Sequence, residues 1–248
     1  MDNYEIMNTK TTKQWEQSIN SCEFVVSIIY DDRFPIDEVK TRLIQALERN
    51  EEFCRSLKVD LRPFSIELIY SRLEFSQRLG RETEAWESGY CDNNKFIIFH
   101  PNFFEIETSH SREDFAKTLT HEINHLYINQ INPKKLWWVS EGVAQHIARQ
   151  CPKVEIKTEN IEHFLANSLS QNKNYRDYIA HQGYAIPREI IKSASQIYGE
   201  EILIELIKVK ADKNAAKKLA KILYTDSKRL NQRITGLITG NIIIKNYA

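Results

Sequence analysis

The run His121-Glu122-Ile123-Asn124-His125 places two imidazoles one helical turn apart, with a carboxylate beside the first. It lies in a stretch that reads as a helix. Ser111 and Asp114 make a capping-box start, and Phe115, Leu119, Ile123 and Leu126 recur as an apolar stripe. At about 100° per residue that stripe takes one side of the cylinder, leaving His121 and His125 together on another, with Glu122 between them and the stripe. Two ring nitrogens so placed can aim at one metal ion, and the carboxylate can take a proton from a water held there. The chemistry of this H-E-x-x-H pattern is zinc-assisted hydrolysis. Two surface histidines on an ordinary amphipathic helix would show the same five residues, so the decision rests on a third ligand.

A hydrolytic zinc site normally uses three protein ligands and leaves a fourth position to water. One route supplies a histidine soon after the helix, as H-E-x-x-H-x-x-G-x-x-H. Here Ile128 stands in place of the glycine and Ile131 in place of the histidine, so that route is closed. The other supplies a glutamate from a following helix. After the break at Asn132-Pro133 the chain reads Trp137-Trp138-Val139-Ser140-Glu141-Gly142-Val143-Ala144, which offers Glu141.

At these residues the sequence resembles the gluzincin metallopeptidases, in particular the peptidase-MA-like group, whose second helix carries W-x-x-E-G-x-A. Trp138, Glu141, Gly142 and Ala144 match position by position. The resemblance implies one zinc ion per chain, held by His121, His125 and Glu141. Over roughly residues 65–235 the likeness also takes in a strand before the zinc helix and a segment that reads Gly183-Tyr184, a helix, then Tyr198-Gly199. In the aminopeptidase and leukotriene-hydrolase branch, a tyrosine at the start of such a helix donates to the reaction's oxyanion. Tyr184 is similar to it, with Tyr178 as its rival.

Two departures qualify what the resemblance implies. The aminopeptidase branch carries a G-x-M-E-N segment that holds the substrate's amine, and this chain has none, so it is not expected to be a typical aminopeptidase. Many gluzincins place a carboxylate one turn after the glutamate ligand to orient a histidine ligand; here Gln145 stands there. Its carbonyl can accept an imidazole N–H but strengthens the ligand less. His146 and His181 could line the cleft, although each alone is more often a surface histidine. Trp137 and Trp138 read as packing beneath the second ligand helix. Strand Lys95–Phe99 reads equally as an ordinary sheet strand or as the cleft edge to which an extended peptide adds.

The expected function is therefore zinc-dependent hydrolysis of peptide or other amide bonds. Zinc would acidify water, Glu122 would act as general base and pass its proton to the leaving amine, and zinc with Tyr184 would stabilise the carbonyl oxygen. The alternative is a catalytically inactive peptidase-like zinc-binding or protein-interaction module.

These residues need elements to hold them. With only 7 Gly and 6 Pro in 248 residues, elements should be long and loops few. Residues Phe24–Tyr30 and Ser65–Tyr70 read as strands alongside Lys95–Phe99. A helix should follow Pro35, and a short one should run from Leu73 to Leu79, closed by Gly80. From Ser111 onward the pattern is almost wholly helical. The fold class expected is α+β and zincin-like. Its parts are a polar leader over 1–20, an α/β subdomain over 21–131 with a mixed sheet ending in the zinc helix, and a helical subdomain over 132–248 with the third ligand.

Charge and cysteine content exclude several classes. The 34 basic and 34 acidic residues cancel, leaving no global field for nucleic acid or an anionic membrane. The Lys/Arg-rich stretch from Lys208 to Arg233 reads as a solvated helical surface. Cys22, Cys54, Cys91 and Cys151 are scattered without a C-x-x-C pair, so no zinc ribbon or redox dithiol is written. No export signal or membrane-spanning run is apparent, and a cytoplasmic protein acting on peptide or protein substrates is the expectation.

Overall fold

The computed structural model describes residues 10–19, 22–55, 59–150, 155–167, 169 and 184–240. The chain divides into two compact units, Met1–Leu126 and Tyr127–Ala248.

The first unit is built on a five-stranded mixed sheet. Its strands are β1 (Lys10–Ile19), β2 (Cys22–Asp31), β3 (Phe64–Ile69), β4 (Gly89–Asp92) and β5 (Lys95–Phe99), in spatial order β1-β2-β3-β5-β4. The inner pairs β2/β3 and β3/β5 are parallel; both outer pairs are antiparallel. The register aligns Ile28 with Ile66 and Ile66 with Phe96, forming a fully buried row across the middle of the sheet. The parallel step from β2 to β3 requires a crossover, supplied by helix α1 (Asp37–Cys54), which buries Val39, Leu43, Ala46 and Leu47.

Helix α2 (Arg72–Leu79) shows how local signals set boundaries. Ser71 accepts from the Glu74 backbone N–H at its start, and Gly80 ends it in the left-handed region at φ 64°. Helices α3 (Pro101–Glu107) and α4 (Asp114–Ile131) follow. The boundary between the two units falls inside α4, ahead of the Asn132-Pro133 break.

Two strands escape the sequence reading. β1 occupies most of the stretch expected to be a polar leader, where Lys10, Trp15, Gln17 and Ile19 turn away from solvent. Its sequence is polar on both faces and carries no hydrophobic alternation; its ten-residue antiparallel ladder with β2 supplies the order instead. β4 is four residues long and falls in what reads as a polar loop; it forms a hairpin with β5, turning at Asn93 with φ 50°.

The second unit continues from the end of α4 into α5 (Trp137–Ile147), α6 (Thr158–Asn167), α7 (Ala185–Tyr198), α8 (Glu201–Ile207), α9 (Ala215–Ile222) and α10 (Leu230–Thr239). Among the described residues it has one isolated bridge, Lys135 to Lys210, and no strand. Asn132 pins the turn after α4 by donating to Ile207 O and Val209 O at 2.8 and 3.0 Å. Along α9, Ala215, Leu219 and Ala220 are buried while Lys217, Lys218 and Lys221 face solvent. Among the described residues no helix is long and apolar enough to cross a membrane.

Candidate metal centre

Helix α4 has a distinct task on each side. Phe115, Leu119, Ile123 and Leu126 are buried as the apolar stripe requires. Asn124, also fully buried, donates to Asn50 Oδ1 of α1 at 3.0 Å, and Asn50 Nδ2 donates to Thr120 O at 2.9 Å. With those sides occupied, His121 and His125 project together. Their Nε2 atoms lie 2.9 Å apart, with ring centroids at 4.6 Å and planes at 83°. Two nitrogens bound tetrahedrally to one zinc at about 2.0–2.1 Å would stand about 3.3 Å apart, so the pair is close to ligating geometry.

One ligand atom from each of His121, His125 and Glu141 lies within 4.8 Å of the others. Among the described residues this is the one group of three or more His, Cys, Asp or Glu side chains so arranged. Glu141 is only 7% exposed, and a buried carboxylate needs a cation or donors to offset its lost hydration. Two imidazole nitrogens and one carboxylate oxygen form a donor set suited to zinc.

The helix bearing Glu141 is seated by a close approach inside the second unit. A β-carbon on Gly142 would lie 2.6 Å from Ile191 Cγ1 and 2.7 Å from Pro187 O, so glycine lets α5 press against α7. Tyr184 caps the start of α7, its ring 6.1 Å from that of Trp137 at 67°. Trp138 is buried, packs edge-on against Phe164 and donates to Leu169 O at 3.0 Å, as a packing role requires. His146 pairs with Glu200 at 3.0 Å near the surface. Tyr178, His181, Gly183 and Cys151 lie outside the described residues.

Both side-chain amide atoms of Gln145, one turn after Glu141 on α5, are buried without a hydrogen-bond partner. One expectation needs correction. Strand β5 is not the cleft edge, because it is paired on both sides, by β3 and β4. The outer edge belongs to β4.

That edge supplies a contact the sequence did not reveal. Gly89, the first residue of β4, sits against the side chain of Glu122, which is 7% exposed. A glycine before a short polar strand is an ordinary turn signal, so its pairing with Glu122 had no sequence signature. Asn50 was missed for a similar reason, being one polar position within an amphipathic helix.

No protein-family model matches the chain, and no curated protein matches it. Among the solved structures that share its fold are two forms of one enzyme. One is an M1 zinc metallopeptidase from Deinococcus radiodurans, with a TM-score of 0.51; the other is a point mutant of that enzyme, at 0.53. Each alignment covers 94% of this chain at 10% identity. The chain spans 53% of the length of either structure, about half. The likeness is one of fold alone, a mixed α and β fold shared with those structures.

Proposed function

We propose that this chain is a zinc-dependent hydrolase of peptide bonds. The observation that carries the proposal is the convergence of His121, His125 and Glu141 within 4.8 Å, with Glu122 adjacent to His121 on the same helix. The fold it shares with zinc metallopeptidases supports the same reading.

His121 and His125 would hold zinc through their converging Nε2 atoms and Glu141 through a carboxylate oxygen. Bound there, zinc supplies acidification of water and polarisation of the scissile carbonyl. Glu122 takes the proton from the attacking water and delivers it to the leaving amine. The Tyr184 hydroxyl donates to the oxygen on which charge develops.

The test is zinc analysis of the purified protein together with digestion of an unbiased peptide library, run beside Glu122→Gln and Tyr184→Phe. Zinc should be present at about one ion per chain in all three. Turnover should fall about 10²–10⁴-fold in Glu122→Gln, the range expected for loss of a general base. Tyr184→Phe should be slower than the parent, and equal rates would remove Tyr184 from the mechanism. A parent protein without zinc, or equal cleavage by parent and Glu122→Gln, would overturn the proposal.

A further inference from the structure

Gly89 requires an explanation that its backbone does not supply. Among the described residues the glycines in the left-handed region are Gly80, Gly199 and Gly240; Gly89 lies in a regular strand, opposite Ile98 of β5. Conformational freedom is therefore not what glycine provides there. Space is. A β-carbon at position 89 would lie 2.8 Å from Glu122 Oε1 and 3.2 Å from its Cδ and Cγ. The bare strand runs alongside the length of the Glu122 side chain.

The two sides of this contact differ in stiffness. Gly89 follows a loop that is clamped along its course. Arg72 Nη1 donates to Glu87 O at 2.7 Å while its guanidinium lies 4.7 Å from the Phe99 ring centroid. Arg81 pairs with Glu87, His110 Nε2 donates to Trp86 O at 2.8 Å, and Ser109 N–H donates to Ala85 O at 2.8 Å. β4 is then held by its ladder to β5. On the other side stands the end of a glutamate side chain, which can shift by turning about its own torsions where a backbone held in a ladder cannot. An added methyl would therefore move the carboxylate rather than the strand.

We propose that Gly89 is a positioning residue for Glu122: the side-chain-free backbone of β4 is the wall that sets where the carboxylate stands. The inference rests on the reading of Glu122 as general base and adds what fixes its aim. A proton acceptor displaced by about 1 Å can lose about 100-fold in rate while folding and substrate binding are spared.

The test compares Gly89→Ala, Glu122→Asp and the double variant with the parent. Gly89→Ala should keep the parent's unfolding midpoint and zinc content. Its kcat should fall about 10- to 100-fold with KM within about twofold. Its crystal structure should show the Glu122 carboxylate displaced and β4 in place, a readout that needs no activity. In Glu122→Asp the side chain is one methylene shorter and withdraws from the wall, so adding Gly89→Ala should cost much less there than in the parent. An undisplaced carboxylate, an unchanged kcat, a loss confined to KM, or equal losses in both backgrounds would overturn the proposal. So would an unfolded double variant, because the methyl would then be meeting something other than the carboxylate. Failure of the general-base reading is told apart by Glu122→Gln: if it retains full turnover that reading fails, whereas an inactive Glu122→Gln beside an unaffected Gly89→Ala removes the wall alone.

Discussion

Asn124 Nδ2 donates to Asn50 Oδ1 at 3.0 Å, joining α4 to α1 between two fully buried side chains. Because Asn50 also donates to Thr120 O, one amide grips the helix immediately before His121 and again immediately before His125. The rotation of α4 about its axis, and with it the aim of both imidazoles, depends on this polar pair as well as on the apolar stripe.

Asn50→Leu removes the acceptor and leaves the Asn124 amide bare in the interior, which should cost about 1–3 kcal/mol. Asn124→Leu should cost less, because Asn50 loses only the donor to its Oδ1 while its Nδ2 keeps Ala46 O and Thr120 O, and the partnerless Oδ1 of Asn124 is removed as well. The double leucine variant removes both partners and should cost clearly less than the two losses added together. Urea unfolding of the four proteins measures this, and strict additivity would show that the amides act independently.

Gly142→Ala should destabilise even though alanine is the better helix former by about 1 kcal/mol. The new methyl would meet Ile191 Cγ1 at 2.6 Å and the Pro187 carbonyl at 2.7 Å, and a backbone oxygen cannot swing aside. Overpacking of this kind costs about 1–3 kcal/mol. Denaturant titration should therefore show a lower midpoint, where the corresponding substitution at Gly89 shows none. A stabilised Gly142→Ala would mean that α5 and α7 separate freely.

Gln145 is 3% exposed and neither side-chain amide atom has a partner. Gln145→Met keeps the length of the side chain and removes the unpaired polar atoms, so it should raise stability by about 1 kcal/mol and leave zinc content unchanged. Thermal unfolding and metal analysis of this variant decide the matter. Loss of zinc would show instead that the amide orients a ligand in the metal-loaded protein.

Glu67 should govern part of the acid sensitivity. It is buried on β3, with Lys10 at 2.9 Å, Lys95 at 2.6 Å and Arg78 at 2.7 Å. Burial pushes its carboxyl upward, but the hydrogen bonds from Lys95 and Lys10 outweigh that and hold it below its ordinary value of 4.5. A carboxyl lowered on folding contributes stability above the unfolded value and loses it as pH falls through the folded one. Denaturant midpoints stepped from about pH 7 to about pH 3 should fall for the parent at the acid end and fall less for Glu67→Gln. Parallel curves would assign acid unfolding to other groups.

Where a signal was local, the sequence carried it. Apolar β-branched runs marked β2 and β3, Lys95–Phe99 marked β5 to the residue, and Gly80 closed α2 because caps act within one turn. β1 and β4 were illegible for opposite reasons. The first is long but polar on both faces; the second is too short for any period to show. Whether β5 lay at the edge stayed open because strand order is made of hydrogen bonds between residues distant in the chain, and an apolar run looks alike at the edge and in the interior.

By itself the sequence determined the face of α4 that carries His121 and His125, since helical geometry converts a spacing of four residues into a shared direction. It also determined that a carboxylate adjoins His121, and it offered Glu141 as a candidate. Tertiary structure alone decided that one ligand atom each of His121, His125 and Glu141 lies within 4.8 Å of the others and that the Gln145 amide finds no partner. It also decided that the bare backbone of Gly89 stands against Glu122. Those outcomes depend on where separate backbone segments come to rest, and such distances are set by packing across the whole fold rather than by the order of residues along it.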